Sequence, residues 1–188
     1  MKIGIDIDDT ITDLQDDLLI EAIEYDKTLR GTGIIYPERK YIGQRFDWNE
    51  EEKEYYLSEL RWKVMNKAKI REGAIEVIQK LKEEGNEIIF ITARSNRYHN
   101  DPYNTTNKWL NDNNIPFDKL VISALDKGKI CEEENIDIFI DDQERNCTLT
   151  QNKGIKTIYF DIEHKEVNNN FITCYSWYDI LSKIESIK

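Results

Sequence analysis

The chain has 188 residues, of which 26 are basic and 37 acidic, so its net charge is −11 at neutral pH. This length suits one substantial core with room for a small inserted module. The acidity argues against nucleic acid polymers and anionic membranes as partners, because both are bound through positive patches.

Hydropathy and cysteine content indicate the cellular compartment in which we expect the protein. No apolar run approaches the ~20 residues that a bilayer-spanning helix requires, and acidic residues interrupt the short apolar run at the N-terminus, unlike a signal peptide. Cys131, Cys147 and Cys174 are odd in number and lack metal-ligand spacing, which is typical of reduced thiols. We therefore expect a cytoplasmic protein with no membrane partner. Assembly into a homo-oligomer is left open.

The first predicted element is a short buried strand near the N-terminus, in which isoleucine occupies every second position from Ile3 to Ile7. It ends in three carboxylates, Asp6, Asp8 and Asp9, followed by a threonine. Side chains two apart on a strand point to the same side, so Asp6 and Asp8 should converge. Two carboxylates that close repel each other unless a proton or cation lies between them, and Mg²⁺ prefers such oxygen ligands.

Residues 13–70 are predicted to form a helical unit after this strand. Apolar residues at helical spacing predict a helix from Leu14 to Leu29. An irregular stretch follows, and a second helix should begin near Asp47 or Asn49, either of which is a suitable N-cap. No strand pattern is found within the unit.

From Glu72 onward, predicted helices and strands alternate. Helices are expected over residues 74–81, 105–111, 127–134, 144–151 and 177–187. Strands are expected over residues 87–92, 119–122, 136–141 and 156–160. The alternation indicates an α/β fold with a parallel sheet. We expect a Rossmann-like core formed by residues 1–12 and 71–188, with residues 13–70 as a helical cap inserted after strand one.

Three predicted strands end in reactive side chains, and lysines precede the last of these strands. The side chains are Asp6, Asp8 and Asp9, then Thr92, then Asp141 and Asp142. In an open parallel sheet, ligands bind outside the carboxyl ends of the strands, so these groups should face one crevice. They suit phosphoryl transfer. One carboxylate attacks phosphorus, Mg²⁺ and an ammonium group neutralise the phosphate, and another carboxylate transfers the proton.

Four short motifs resemble those of the haloacid dehalogenase-like phosphohydrolase superfamily and occur in its order. They are Asp6-Ile7-Asp8-Asp9-Thr10, Ile91-Thr92-Ala93-Arg94, Lys127, and Ile140-Asp141-Asp142. The insert lies where that superfamily places its C1-type cap. The first motif, the cap length and the sequence from Ile130 to Asp142 are similar to the 5′(3′)-deoxyribonucleotidase type-C group and its bacterial nucleotidase-like relatives.

The resemblance implies a role for each acidic residue. Asp6 would be the nucleophile and a Mg²⁺ ligand. Asp8 would be the general acid and base, with its backbone carbonyl on the metal. Asp141 would be the third protein ligand, and Asp142 would support metal-bound water. Asp9 is expected to be structural.

The resemblance also implies groups that bind the phosphoryl oxygens. Thr92 and the N–H of Ala93 would hold them, and Lys127 would pair with phosphate and the nucleophile. Lys129 is the rival for the lysine role because it is only two residues away. Arg94 is expected either to touch the substrate or to lie on the surface.

Aromatic residues of the insert could stack on a nucleobase or form the insert's own core. They are Phe46, Trp48, Tyr55, Tyr56 and Trp62. Trp48, in the predicted loop before the second helix, is the best stacking candidate.

These expectations describe a Mg²⁺-dependent phosphomonoesterase that acts through an aspartyl-phosphate, with (deoxy)nucleoside monophosphates as substrates. A phosphatase for another small phosphoester, such as a sugar phosphate, is the first alternative. The second is a non-catalytic phosphate-sensing module, since receiver domains use similar residues. In receiver domains, however, the phospho-acceptor ends a later strand than the first.

Overall fold

A parallel sheet forms the centre of the computed structural model, which describes residues 1–162 and 170–187. In chain order the strands are β1 (Lys2–Ile5), β2 (Thr12–Asp13), β3 (Lys69–Ile70), β4 (Glu87–Ile91), β5 (Lys119–Val121), β6 (Ile138–Asp141), β7 (Lys156–Phe160) and β8 (Ile172–Cys174). The helices are α1 (Gln15–Leu29), α2 (Glu50–Tyr55), α3 (Arg61–Met65), α4 (Ala74–Glu83), α5 (Pro102–Asp112), α6 (Lys127–Glu133), α7 (Glu144–Gln151) and α8 (Trp177–Ile187). A 3₁₀ turn spans Ile42–Gln44, and a π-helical segment spans Tyr56–Leu60.

The main sheet has six strands in the order β5-β4-β1-β6-β7-β8, and every pair is parallel. The predicted α/β class with a parallel, Rossmann-like sheet is therefore confirmed. β1 lies in the middle, where Ile3 is paired with Ile88 on one side and Ile138 on the other. The carboxyl ends of β1, β4 and β6 consequently lie side by side.

Both faces of this sheet are buried. Along β4, Ile88 and Phe90 belong to one apolar cluster, whereas Ile89 and Ile91 belong to a second. Because strand side chains alternate between faces, the two clusters cover opposite sides. The first cluster includes side chains of α4, α5 and α8, and the second includes Cys131 of α6. Such two-sided burial explains why the strands are almost wholly apolar.

A two-stranded antiparallel pair connects the insert to the core. β2 leaves the core and β3 returns to it, with Thr12 paired to Ile70 and Asp13 to Lys69. The expectation of no strand in residues 13–70 is therefore wrong at both ends of that range, because a two-residue strand is too short to give an alternating pattern. The boundaries at 12/13 and 70/71 stay predictions.

Within the insert, the second helix begins as predicted at Asn49. The Asn49 side chain accepts a hydrogen bond from the backbone N–H of Glu52, and the Glu52 carboxylate accepts one from the N–H of Asn49. This reciprocal capping box satisfies two N–H groups at the helix start. α2, the π-helical segment and α3 then follow one another without a break from residue 50 to residue 65.

Most predicted elements of the core have the expected bounds, including α7, β7 and α8. α5 begins three residues earlier than expected, because the Asp101 side chain caps it and Pro102 occupies its first position. β8 was not predicted. Among the residues that the structure describes, no helix is long and apolar enough to cross a membrane.

Candidate active site at the carboxyl ends of the strands

Asp6, immediately after β1, is ion-paired with a buried lysine. The Asp6 backbone N–H donates to the carbonyl of Ile140, which continues the β1–β6 ladder and fixes the residue in place. The Lys127 ammonium lies 2.5 Å from Asp6 Oδ1 and 2.7 Å from Asp141 Oδ2. All three side chains are buried. Lys127 therefore joins the ends of β1 and β6.

The position of Lys127 depends on close helix packing. Lys127 is the first residue of α6, and Asp126 caps that helix by accepting from the N–H of Lys129. A Cβ atom at Gly128 would collide with the backbone carbonyl of Leu149 in α7. Glycine at this position allows α6 to approach α7 closely enough to bring the ammonium to the two carboxylates.

The structure separates the two candidate lysines. The Lys127 side chain is 4% exposed and lies between two carboxylates, whereas the Lys129 side chain is 64% exposed. Among the salt bridges between described residues, Lys129 takes part in one, with the Glu133 carboxylate at 3.7 Å. Its ammonium points away from Asp6, so the geometry favours Lys127.

Burial controls the protonation of this pair. Burial raises the pKa of Asp6 to about 7, although Lys127 opposes the shift. Burial also disfavours the charged ammonium, but the carboxylates of Asp6 and Asp141 outweigh it and raise the pKa of Lys127 above its usual range. Lys127 is therefore positively charged at neutral pH.

Asp6, Asp141 and Asp142 offer a cluster of oxygens that suits a hard cation. One carboxylate oxygen from each lies within 4.8 Å of the others. Burial, and then the charge of Asp141, raise the pKa of Asp142 well above its usual range. A divalent cation among these oxygens would remove that repulsion, and an all-oxygen donor set is the kind that Mg²⁺ prefers.

Neighbouring groups distinguish the two carboxylates after β6. Asp141 accepts from Lys127, from the backbone N–H of Gln143 at 2.8 Å and from Asn146 Nδ2 at 3.0 Å. Asp142 accepts from Gln143 Nε2 at 2.5 Å and from the Thr10 hydroxyl at 3.3 Å. Asp142 lines the cavity described below and Asp141 does not. Asp142 is thus the more accessible ligand, and Asp141 mainly holds the lysine.

The carboxylate of Asp8 lies outside this cluster because Arg94 holds it. Arg94 Nη2 donates to Asp8 Oδ1 at 2.7 Å, and Nε lies 3.2 Å from both Asp8 oxygens. Burial opposes ionisation of Asp8, but the charge and hydrogen bonds of Arg94 prevail and lower its pKa. The expected metal contact through the Asp8 carbonyl stays a prediction.

The expectation that Arg94 lies on the surface is wrong, because its side chain is 0% exposed. Arg94 is absent from the cavity lining, so the geometry does not favour contact with substrate, and that expectation stays a prediction. The guanidinium lies 5.6 Å from the ring centre of Trp62 and 6.0 Å from that of Trp109, and Nη1 donates to the Thr106 hydroxyl. Cation–π contacts and hydrogen bonds together replace the water that a buried guanidinium loses.

The residues after β4 and β1 form the floor of the site. Thr92 is fully buried, and its hydroxyl accepts from the N–H of Arg94 at 3.3 Å. Ala93 is exposed and lines the cavity. Asp9 adopts a left-handed backbone with φ of 62°, and its carboxylate accepts from Gln15. The Asp9 carbonyl accepts from Arg71, so Asp9 braces the turn after β1.

A cavity of about 610 Å³ opens between these residues and the insert. Its inner wall includes Asp6, Asp8, Lys127 and Asp142. Its outer wall includes Lys40, Tyr41, Ile42, Lys53, Leu57, Arg61, Arg97, Tyr98 and Arg145. Sequence reasoning missed this outer set. One signal in the sequence was a large aromatic residue in an irregular segment, Tyr41, whose side chain is 60% exposed.

The geometry does not favour Trp48 as the residue that stacks on a base, and that expectation stays a prediction. Trp48 is 4% exposed, and its ring stacks on Phe46 with the ring centres 4.5 Å apart. The indole N–H donates to the buried carboxylate of Asp26 at 2.9 Å. Trp48 is absent from the cavity lining and belongs to the insert's own core with Phe46 and Tyr56. Its burial depends on Asp26, a partner 22 residues away that a local pattern does not reveal.

Comparison with known proteins identifies the fold. A hydrolase of the haloacid dehalogenase-like family from Streptococcus pneumoniae superposes with a TM-score of 0.69 and 13% identity, over 97% of each chain. A Bacillus subtilis protein provisionally named a HAD-hydrolase, and described as bound to magnesium, superposes with a TM-score of 0.67 and 13% identity over 98% of each chain. The resemblance inferred from the motifs is confirmed at the level of the fold.

Sequence comparison adds two matches. A protein of Oceanobacillus iheyensis provisionally named a nucleotidase is 27% identical over 187 residues, which cover 96% of this chain and 97% of that protein. A family model described as the LNS2 domain of PITM 1-3 matches residues 54–137, which is less than half of the chain.

Proposed function

We propose that this chain, which has the fold of the haloacid dehalogenase-like hydrolases, is a Mg²⁺-dependent phosphomonoesterase acting through an aspartyl-phosphate. We further propose that its substrates are (deoxy)nucleoside monophosphates, which would make it a nucleotidase. One observation carries the activity: a buried carboxylate, Asp6, is ion-paired with Lys127 beside a cluster of carboxylate oxygens at the inner wall of a cavity.

The chemistry divides into two half-reactions. An oxygen of Asp6 attacks phosphorus, the bond from phosphorus to the ester oxygen breaks, and Asp8 gives the leaving oxygen a proton. Water then attacks the aspartyl-phosphate, Asp8 takes the proton of that water, and free phosphate leaves with Asp6 regenerated. Lys127 balances the negative charge of the phosphoryl group throughout.

The cation would be held by Asp6 and Asp142, with Asp141 behind them. Bound Mg²⁺ would neutralise the phosphoryl oxygens and the clustered carboxylates. Ala93, which lines the cavity, would offer its N–H to those oxygens, and Thr92 would offer its hydroxyl. Asp8, which Arg94 keeps ionised, is in the state that a general base requires. The negative charge of an arriving phosphate would favour the protonated acid needed in the first step.

Two observations support a nucleotide as the substrate, with the nucleoside as the leaving group. The relative from Oceanobacillus iheyensis, matched over nearly its whole length, is provisionally named a nucleotidase. The cavity volume of about 610 Å³ lies in the range typical of sites for small organic ligands. The exposed ring of Tyr41 replaces Trp48 as the candidate for stacking on a base.

The test is release of phosphate, with Mg²⁺ present, from a panel of deoxynucleoside and ribonucleoside monophosphates, sugar phosphates and a chromogenic ester. We expect nucleotides to give the highest kcat/KM. Asp6→Asn should abolish turnover and Asp8→Asn nearly so, with unchanged circular dichroism. Sugar phosphates ahead by about tenfold, or 1.4 kcal/mol, would remove the nucleotidase assignment. Turnover by Asp6→Asn above roughly a tenth of the wild-type rate would remove the covalent mechanism.

A further inference from the structure

The outer wall of the cavity is basic, although the chain as a whole is acidic. Its cations are Lys40, Lys53, Arg61, Arg97 and Arg145, and its carboxylates are Glu50 and Glu54. The protein carries a net charge of −11, whereas cations outnumber carboxylates on this wall. The wall therefore has the opposite sign of charge from the protein as a whole. This local excess of positive charge favours an anionic ligand.

Two of these cations have partners within the protein. The Lys53 ammonium lies 2.8 Å from the Glu50 carboxylate. The Lys40 ammonium donates to the side-chain carbonyl of Gln143 at 2.5 Å. The lysines are therefore engaged, and any free positive charge on the outer wall comes from its arginines.

The three arginines of the wall, Arg61, Arg97 and Arg145, make no ion pair or side-chain hydrogen bond to any residue that the structure describes. By contrast, Arg30 is paired with Glu52 at 2.7 Å, and Arg94 is paired with Asp8. Arg97 and Arg145 are exposed, but Arg61 is partly buried. A partly buried guanidinium without an acceptor forgoes hydrogen bonds that water gives it in solution, which makes Arg61 the most informative of the three.

Arg61 lies on the insert side of the cavity. It is the first residue of α3, whereas Lys127, which accompanies the phosphoryl group in the proposed reaction, is the first residue of α6 in the core. A substrate group that extends from the phosphoryl group toward the insert would therefore meet Arg61.

We propose that Arg61, assisted by Arg97 and Arg145, binds a second anionic group on the leaving-group side of the substrate. The preferred substrates are phosphomonoesters that carry another phosphate or a carboxylate, such as a nucleoside bisphosphate. This inference rests on the proposed phosphomonoesterase activity and changes its preferred substrate from a nucleoside monophosphate to a phosphomonoester with a second anionic group. The second group, unlike the first, is bound and not cleaved.

The test compares substrates that differ only in the second charge. One pair is deoxyadenosine 5′-monophosphate and deoxyadenosine 3′,5′-bisphosphate. The other is 2-hydroxyethyl phosphate and phosphoglycolate, in which a carboxylate replaces the hydroxymethyl group. We expect the doubly anionic member of at least one pair to have the higher kcat/KM. Arg61→Met should reduce that advantage about tenfold, the size of effect that a charge-assisted hydrogen bond supports.

The matched control is Lys63→Met. Lys63 is exposed on the same helix, α3, two residues from Arg61, and it lies outside the cavity lining. Its removal lowers the net charge of the protein by the same amount and should leave the ratio of kcat/KM values unchanged. An equal loss in both members of each pair with Arg61→Met would show that Arg61 serves the cleaved phosphate, and would overturn the inference.

A binding measurement separates this inference from the proposed function. In the Asp6→Asn variant with Mg²⁺, calorimetry should show deoxyadenosine bisphosphate binding at least about tenfold more tightly than the monophosphate, and Arg61→Met should abolish the difference. Equal affinities would overturn the inference even if the wild-type protein releases phosphate. A clear difference without any turnover would refute the proposed function and retain the anion site.

Discussion

Arg94 holds the carboxylate of Asp8 through two of its nitrogens, with Nη2 2.7 Å from Oδ1 and Nε 3.2 Å from both oxygens. The guanidinium is itself fixed by the hydroxyl of Thr106 and by the rings of Trp62 and Trp109. Trp62 belongs to the insert and stacks on His99 of the core, with the ring centres 3.5 Å apart. Arg94 is therefore a positioning residue for the proposed acid and base.

Arg94→Lys should lower kcat about ten- to a hundredfold with a smaller change in KM, because a lysine cannot reproduce the forked contact. Arg94 lowers the pKa of Asp8 against the opposing effect of burial, so its loss should raise that pKa. The acid limb of the kcat–pH profile should then move to higher pH. A purely structural role would leave this limb in place. Arg30→Lys is the control, since Arg30 forms a similar forked pair with Glu52.

Lys127→Met should lower kcat/KM by at least about a thousandfold and unfold more readily in the absence of Mg²⁺. Removing one partner from a buried ion pair leaves the carboxylates of Asp6 and Asp141 uncompensated, which costs on the order of 3–5 kcal/mol. Urea unfolding and steady-state kinetics measure the two effects. Lys129→Met should change neither by much, because exposed ion pairs contribute little. A larger loss of kcat/KM and stability in Lys129→Met than in Lys127→Met would make Lys129 the lysine of the site.

Stability of the metal-free protein should fall as the pH rises from about 5 to 8. Burial raises the pKa of Asp6 to about 7 and that of Asp142 well above the ordinary 3.8. Between the unfolded and folded pKa values the folded state binds more protons than the unfolded state, so raising the pH through this window destabilises the fold. The melting temperature in EDTA should therefore be lower at pH 8 than at pH 5.5.

Mg²⁺ should reverse that trend, since it binds the ionised carboxylates of the folded state. The increase in melting temperature on adding Mg²⁺ should be larger at pH 8 than at pH 5.5. Asp142→Asn provides the check. It should flatten the pH dependence in EDTA and weaken the response to Mg²⁺. A melting temperature in EDTA that rises steadily with pH would contradict the assignment of these carboxylates as a cation site.

Tyr41→Ala should raise KM for nucleotides about five- to twentyfold, because base–aromatic stacking contributes roughly 1–3 kcal/mol. The rate with 2-hydroxyethyl phosphate should not change, since that substrate has no ring. Tyr36→Ala is the matched control: Tyr36 is an exposed tyrosine of the same segment, contacts Arg39 and lies outside the cavity lining. Equal effects of both variants would exclude a specific contact with the base.

Trp48→Ala should act on stability instead of on base recognition. Removing a buried tryptophan costs about 3–5 kcal/mol, and here it also leaves the carboxylate of Asp26 without its indole donor. Thermal unfolding measures the loss. A normal melting temperature together with a raised KM for nucleotides would restore Trp48 as the stacking residue.

The sequence predicted elements whose pattern is local. The apolar runs of β1, β4 and β6, and the N-cap at Asn49, are patterns of adjacent residues, and the structure has strands and a helix start there. The sequence also predicted that the carboxylates at the strand ends lie close together, because the carboxyl ends of parallel strands share one edge of the sheet. The β2–β3 pair was missed because two residues carry no period, and the local pattern did not mark the three residues of β8.

The sequence did not predict which distant side chains would contact one another. Arg94 follows a strand and resembles a surface residue until the chain brings Asp8 to it from 86 positions away. Trp48 resembles a loop aromatic until Asp26 accepts from its indole N–H. The burial of both side chains has one physical cause: a polar atom can be buried only where a partner satisfies it, and a local sequence pattern does not reveal a distant partner.

The central place of β1 in the sheet has a consequence for how the chain folds. Ile3 is paired in register with Ile88 and with Ile138, so β1 can pair with its neighbours only after much later parts of the chain have been synthesised. Contacts between residues so far apart in sequence slow folding, because a long loop must close before they form. Asp6, at the end of that strand, gains its lysine and carboxylate neighbours only after most of the chain has been made. A nascent or truncated chain would contain the proposed nucleophile, Asp6, without the lysine and carboxylates that complete the site.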